Sequence, residues 1–591
     1  MRALGFGFTF FLVFVTAAFA AQTVEVLVEG LEGETLKNVQ GELALPPGLV
    51  RDGQVDPAWL KRFEQQAPER VRRGLEPFGY YHPRITVSIE TPQEDLFRLH
   101  VKVEPGDPVR VASVKVEIRG PGSGEEKLKD LVNAFPMKKG SPLRQDHYEE
   151  AKGALKTQAL DLGYLDADFP THEIRVLLAE AKAHIDLVLE TGSQYRFGKV
   201  TFIGAPNYPE SFLWRYLSFH PGEVYSHSKM AQTQLNLVNS DRFKEVSIDP
   251  QKEESQDLSV PVKIHLTSSK PKRFRFGIGY ETDLGPRVSA NYKDLNFRHS
   301  GHELSSELNI STRLQGLVTS YVLPGLRNID SKTSFKLGVQ HENTESYDSR
   351  SAFFETEYVR SFGQTRGLLY SLGRGSLGSV FLQTRLEDFT IGEEKGHSRL
   401  FMPGLRFSHR QYDDLIRPTR GYRFILETRG AAQTLGSDTN FLQLKFKGDI
   451  LVPLPSRFSL FLRGEGGTTW CTSLEALPPS VRFFAGGSSS VRGYDFQSLG
   501  PKDSFGDVTG GKYLLVGSIE LERTISKLFG IAAFYDVGNA FNSLNEIDPE
   551  QGVGLGVRLY TPVGPIRLDL ARQIHVKDPR FRVYFSVGFE L

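Results

Sequence analysis

The chain has 591 residues, enough for several domains, and carries 71 basic and 71 acidic side chains for a formal charge of zero. That balance excludes the global basic field with which a protein holds nucleic acid, so no nucleic-acid partner is expected. A single cysteine, Cys471, excludes an intrachain disulfide, leaving packing and strand pairing to hold the fold.

The N-terminus opens with Arg2, an apolar run over residues 4–15 and then Ala18-Phe19-Ala20. This is the pattern of a cleaved export signal, expected over residues 1–20; the run is shorter than the ~20 residues a helix needs to cross a bilayer. No later stretch is long and apolar enough for a spanning helix. An exported chain of this kind, with 57 Gly, 42 Phe and 21 Tyr, points to a membrane β-barrel, whose alternating strands keep mean hydropathy low.

The first half of the mature sequence repeats. "GYYHPRI" from Gly79 and "GYLDADF" from Gly163 each follow a helical stretch rich in Lys, Arg, Glu, Leu and Ala, and each leads into alternating strands. A third copy ends its helix with Ser240-Asp241-Arg242-Phe243 instead of Gly-Tyr. Each copy reads as a small autonomous β-α-α-β-β domain, placed at residues 22–105, 106–192 and 193–268.

Helical periodicity stops at Lys270-Pro271-Lys272. From there, segments such as "RFRFGIGYE", "FLQLKFKGDILV" and "FRVYFSVGFEL" alternate apolar with polar or small residues over a length suited to a strand tilted across a bilayer. Short connections ("LPSR", "TPVGP") contrast with long ones ("NTESYDSR", "GEEKGHSR"), as periplasmic turns contrast with external loops. Seventeen candidates are visible; barrels of this class favour even numbers, so the weakest, around residues 368–372, is set aside. The expectation is a sixteen-stranded antiparallel transmembrane barrel over residues 273–591. A large soluble all-β protein is the rival reading. It does not account for the loop asymmetry, the export signal or the aromatic strand ends Phe274, Phe276, Tyr280, Tyr584, Phe585 and Phe589, which fit interfacial girdles.

Catalytic motifs are not found. "GRGSLG" from Gly373 has the dinucleotide spacing but runs into a strand, not into the helix whose N-terminus would hold a pyrophosphate. "GGK" at Gly510 is followed by Tyr513 where a P-loop needs Ser or Thr. The fourteen histidines show no ligand spacing. No enzyme activity, metal or cofactor is expected.

Residues 468–511 form a gap between strands far longer than a hairpin connection, yet hold Trp470, Val481, Phe483, Phe484, Tyr494 and Phe496, a composition that packs. A loop of this kind packs in the polar lumen. At its centre "SSSVRGYDFQ" carries Arg492, which inside a lumen needs a carboxylate; Asp536, the acid of the strand "AAFYDVGNAF", is the best partner in reach. The plainer reading is a solvated loop arginine.

"FAGGSSSVRGYDFQSLGP" resembles the sixth-loop signature of the outer-membrane protein assembly family, with its (V/I)-R-G-(F/Y) core, and "FYDVGNAF" and "VYFSVGFEL" resemble strands of that family. The three repeats resemble its polypeptide-transport-associated (POTRA) domains. Three such domains and the ending "GFEL" are most similar to the branch of that family that supplies the outer-membrane subunit of the translocation and assembly module.

The resemblance implies a loop tip made of Val491, Arg492, Gly493 and Tyr494 inside the lumen, with Arg492 pinned by an acid such as Asp536. It implies an insertase or translocase in the bacterial outer membrane, POTRA domains in the periplasm, that assembles or secretes β-rich, autotransporter-type substrates without nucleotide. The implied partners are unfolded outer-membrane proteins, outer-membrane lipid and an inner-membrane-anchored TamB-like protein. A two-partner-secretion transporter or a passive pore is the alternative. The expected working part is a lateral seam between first and last strands, with Phe274, Phe276, Gly277, Gly279 and Tyr280 on one side and Tyr584, Phe585, Gly588 and Phe589 on the other. Glycine weakens strand interiors there.

Overall fold

The computed structural model describes residues 22–51, 54–93, 95–325, 329–362, 375–414, 418–545, 547–561 and 564–587. The export signal, the discarded strand at 368–372, Gly588 and Phe589 lie outside them. The described residues form two compact units, one running through Thr201 with 219–231 and 249–263, the other made of 202–218, 232–248 and 264–591.

The first repeat runs β1 (Thr23–Glu29), α1 (Gly33–Glu42), a short ribbon of β2 (Val50–Arg51) and β3 (Gln54–Val55), α2 (Pro57–Leu75), β4 (Arg84–Gln93) and β5 (Leu96–Glu104). Its sheet order is β1-β5-β4, with β1 parallel to β5. The ribbon is an addition to the expected β-α-α-β-β pattern; each strand is two residues, too short to show alternation. Helix α2 begins where the Asp56 carboxylate accepts the N–H groups of Ala58 at 2.9 Å and Trp59 at 3.2 Å, with Pro57 at the first helical position, where no N–H is needed. Its Leu60, Phe63, Ala67 and Val71 recur at helical spacing. Phe63, Ala67 and Val71 face Leu99, Val101 and Val103 of β5 in a closed core.

The second repeat is β6 (Arg110–Arg119), α3 (Glu126–Asn133), α4 (Gln145–Asp161), β7 (Asp168–Leu177) and β8 (Lys182–Glu190), in sheet order β6-β8-β7. The third is β9 (Arg196–Ile203), α5 (Glu210–Leu213), α6 (His227–Val238), β10 (Phe243–Pro250) and β11 (Ser259–Ser268), in order β10-β11-β9. Gly79 and Gly163 adopt φ of +86° and +87°, the left-handed conformation that ends a helix without strain only for glycine. A Cβ would stand 2.9 Å from the Leu143 carbonyl at Gly79 and 2.8 Å from the Tyr195 carbonyl at Gly163. Their own carbonyls accept the N–H groups of Val109 and Tyr195, so the repeated Gly-Tyr joins each of these repeats to the next.

The barrel begins with β12 (Lys272–Glu281), β13 (Gly285–Phe297), β14 (His302–Ser311), β15 (Leu314–Pro324), β16 (Lys332–Asn343), β17 (Tyr347–Ser361), β18 (Ser376–Ile391) and β19 (Glu394–Tyr412). It continues with β20 (Gly421–Ala431), β21 (Phe441–Leu454), β22 (Phe458–Cys471), β23 (Tyr513–Thr524), β24 (Phe529–Phe541), β25 (Glu550–Thr561), β26 (Gly564–Ile574) and β27 (Phe581–Val587). The sixteen strands close into one antiparallel barrel, each paired to its sequence neighbour and β27 returning to β12. Strand β22 runs to Cys471, so the long connection starts at 472 instead of 468; Thr468 pairs with Tyr513 and continues the ladder.

The faces are inverted relative to a water-soluble barrel. Phe276 and Ile278 are 81% and 88% exposed on the outer face, while Glu355, Glu357, Gln383, Glu387, Gln443 and Arg558 are buried on the other. An apolar exterior and a polar, internally bonded lumen are what a closed sheet needs in lipid.

Candidate functional site: the lumen loop and the seam

On β24, Ala532, Phe534, Asp536 and Ala540 are buried, while Ala533 and Tyr535 between them are exposed. Strict period-2 alternation therefore sets Asp536, with no exposed surface, on the lumen side. The 472–512 connection folds back against the same wall. Phe483 bridges to Gly511 and Ala485 to Leu499. Phe483, Ala485, Val491, Tyr494 and Leu499 form an apolar cluster with Leu514 and Val516 of β23 and Ala540 of β24. Arg482 stiffens the loop's neck by donating to the carbonyls of Leu477, Thr509 and Glu475.

That cluster delivers Arg492, 4% exposed, to Asp536. Its Nε donates to Oδ2 at 2.7 Å and its Nη2 to Oδ1 at 3.0 Å, a bidentate pair, and its backbone N–H adds a third bond at 3.1 Å. The remaining nitrogen, Nη1, reaches Glu520 at 2.8 Å on β23 and Asp569 at 3.1 Å on β26. Arg558 of β25 bonds the other oxygens of those two acids. Ser518 donates to Asp536 at 2.5 Å, and the Arg492 guanidinium lies 3.3 Å from the centre of the Phe534 ring. Three carboxylates thus face two guanidiniums with the polar valences filled, the condition under which buried charge is tolerated.

The rest of the motif binds the last strand. Val491 is fully buried. The N–H of Gly493 donates to the Tyr584 hydroxyl at 2.9 Å, and that hydroxyl donates to the Tyr494 carbonyl at 2.6 Å. Tyr494 gives its own hydroxyl to Glu550 at 2.5 Å. Gly493 has φ of +105°, and an added Cβ would crowd the Gln573 backbone at 3.3 Å, so the tip fits only without a side chain.

Tyr584 requires a correction. It is not part of an outer aromatic girdle: alternation along β27 exposes Phe581 and Val583 and turns Tyr584 inward, 3% exposed. Phe585 lies on the outer side with Tyr280, their rings 6.1 Å apart across the seam. Phe274, Phe276 and Tyr280 are exposed on that side of β12, and Gly277 and Gly279 alternate with them. Among the described residues β12 and β27 share one register pair, Glu281 with Ser586, against ten between β12 and β13. Thr282 and Phe585 add N–H bonds of 3.1 and 2.9 Å, and Arg287 donates to the Val587 carbonyl at 3.2 Å.

Residues 296–591 match the Omp85 superfamily domain, half of the chain. The chain belongs to the Omp85 superfamily. Residues 25–105 match the POTRA domain described as TamA domain 1, and 195–268 match the POTRA domain described as a surface antigen variable number repeat. Outer membrane protein assembly factor BamA of Nitratidesulfovibrio vulgaris is 24% identical over 70% of this chain, which spans 52% of that relative's length. BamA of Neisseria meningitidis is 22% identical over 96% of this chain and 78% of its own. The crystal structure of BamA from Haemophilus ducreyi lacking POTRA domains 1–3 superposes with a TM-score of 0.68 at 17% identity, covering 81% of this chain and 99% of that one, a likeness of fold. An Omp85 barrel of this kind lies in the outer membrane, with its POTRA domains in the periplasm.

Glu520, Asp569, Arg558 and Ser518 carry no mark in the sequence that separates them from the other polar residues of the lumen wall. Only register, which sets Ser518 opposite Asp536, collects them at one point.

Proposed function

We propose that this Omp85 protein assembles β-rich proteins into the outer membrane by opening its barrel between β12 and β27. The observation that carries the reading is the contrast at the seam: among the described residues, one register pair where the neighbouring ladder has ten. A sheet edge in lipid leaves backbone N–H and C=O groups unsatisfied, at several kcal/mol each. A substrate strand that pairs with the opened edge removes that penalty, and each new strand of the growing sheet gains the same bonds. Strand pairing and burial in lipid supply the driving force, so no nucleotide is required. The wall of three carboxylates that seats Arg492 holds the loop and the C-terminal strands as one body, against which the other edge moves.

Autotransporter-type substrates, a TamA-like place within the superfamily and a TamB-like inner-membrane partner are the finer form of the proposal. The TamA-type match of residues 25–105 and three POTRA units ahead of the barrel support it. The sheet edges of those units offer backbone groups to an extended substrate with little demand on its sequence. The test is insertion of an unfolded β-barrel substrate into liposomes containing the purified protein, scored by the substrate's resistance to protease and to unfolding in cold detergent. Substrate folding no faster than in empty liposomes would contradict the proposal.

A further inference from the structure

The lumen loop touches both sides of the seam. On the N-terminal side, Ser488 donates its backbone N–H and its hydroxyl, each at 2.6 Å, to one oxygen of Asp283, in the turn between β12 and β13. Asp283 is 3% exposed, so water does not compete for that oxygen. On the C-terminal side, Tyr584 bonds Gly493 and Tyr494, and Arg582, also on β27, pairs with Asp495. Residues 488–495 therefore cross the seam on its lumen face and are bonded at both ends.

The two ends are unequally held. The C-terminal end adds to Tyr584 and Arg582 the whole Arg492 cluster on β23, β24 and β26. The N-terminal end rests on Asp283, with a longer contact of 3.3 Å from the Ser488 hydroxyl to Glu281. We infer that the loop is a strap across the seam: separation of β12 from β27 requires the strap to let go of one side, and it releases at Asp283 while staying with the C-terminal strands. Asp283 and Ser488 then form the latch that sets how readily the seam opens. This rests on the seam being the moving part and deepens the proposed function; it does not depend on what substrate is inserted.

The test reads the seam without any substrate. Spin labels on Tyr280→Cys and Phe585→Cys, whose side chains meet on the lipid face, are placed in a Cys471→Ser background in lipid nanodiscs, and dipolar broadening reports the closed population. Asp283→Ala is expected to raise the open population about fivefold, the equivalent of losing hydrogen bonding worth ~1 kcal/mol. The double change Tyr584→Phe with Arg582→Ala is expected to leave it near the parent value, because the Arg492 cluster still holds that end. An unchanged seam in Asp283→Ala, or equal opening by the Tyr584 and Arg582 pair, overturns the strap. If Asp283→Ala does not fold, Asp283→Asn decides, with a smaller rise expected and no rise contradicting. Insertion measured in parallel separates the two ideas: a seam indifferent to Asp283 with insertion intact sinks the strap alone, and an opened seam without insertion sinks the proposed function alone.

Discussion

Arg492 and Asp536 stand 44 residues apart in the chain and meet through side-chain bonds of 2.7 and 3.0 Å inside the barrel wall, where neither is open to water. Everything else in the loop is arranged so that this contact forms: the neck held by Arg482, the apolar cluster beneath Val491, and the glycine that lets the tip approach β26.

Removing the cation leaves Glu520 and Asp569 sharing Arg558, and Asp536 facing the Ser518 hydroxyl and the backbone N–H of the loop tip but no cation. Arg492→Ala is expected to destabilise the barrel by about 3 kcal/mol or more, the usual result of breaking one side of a buried pair. Guanidinium unfolding in detergent micelles, followed by the gel shift between folded and unfolded barrel, measures it. Asp536→Ala is expected to be comparable, and the double variant less damaging than the two losses added. Strict additivity would mean that the two side chains do not act together.

The ring beneath the guanidinium has a smaller share. Phe534→Leu keeps an apolar side chain but removes the π face, and a loss of about 1 kcal/mol is expected, the range of partly buried cation–π contacts. The same unfolding measurement should rank Arg492→Ala well above Phe534→Leu. The reverse order would put the loop's hold in apolar packing instead of charge.

The seated loop packs into the lumen against β23 and β24. Purified protein in planar bilayers is expected to show small, irregular conductance, and deletion of residues 478–500 a larger and steadier one. A large, steady current from the intact protein would favour a passive pore.

In the N-terminal unit, Asp161 at the end of α4 accepts the Ser226 hydroxyl at 2.6 Å and the Ser228 N–H at 2.8 Å, at the start of α6. Burial pushes its carboxyl up, but these bonds outweigh it and the net shift is downward. A lowered folded value means stability fully present above the ordinary carboxylate range, near ~4, and lost as pH falls through the folded value. Thermal unfolding of the POTRA region in the intact protein should weaken over that acid window, and Asp161→Asn should flatten the dependence. An identical pH profile in Asp161→Asn would remove this contact from the explanation.

The barrel was legible because period-2 alternation over the strand segments is a local property: β24 shows its inward and outward residues on inspection. Arg492 stands out as a cation in a long, aromatic-rich connection, and Asp536 as an acid among apolar neighbours. Glu520, Asp569 and Arg558 do not, since every lumen strand carries polar residues on one face and only the stagger between strands decides which of them meet. Tyr584 shows the limit of aromatic counting. An aromatic near a strand end can face lipid or lumen, and the parity that separates Tyr584 from Phe585 needs a strand anchored in three dimensions. The β2–β3 ribbon was hidden for a related reason, being too short to carry any period.

Assembly by this route requires the β12–β27 seam to part. Glu281 and Ser586 are register partners across it, close enough for a disulfide when both are changed to cysteine in a Cys471→Ser background. The decisive measurement is the rate of substrate insertion into liposomes by this variant, oxidised and then reduced. Insertion should stop in the oxidised protein and return on reduction; insertion at the parent rate with the disulfide intact would contradict a moving seam.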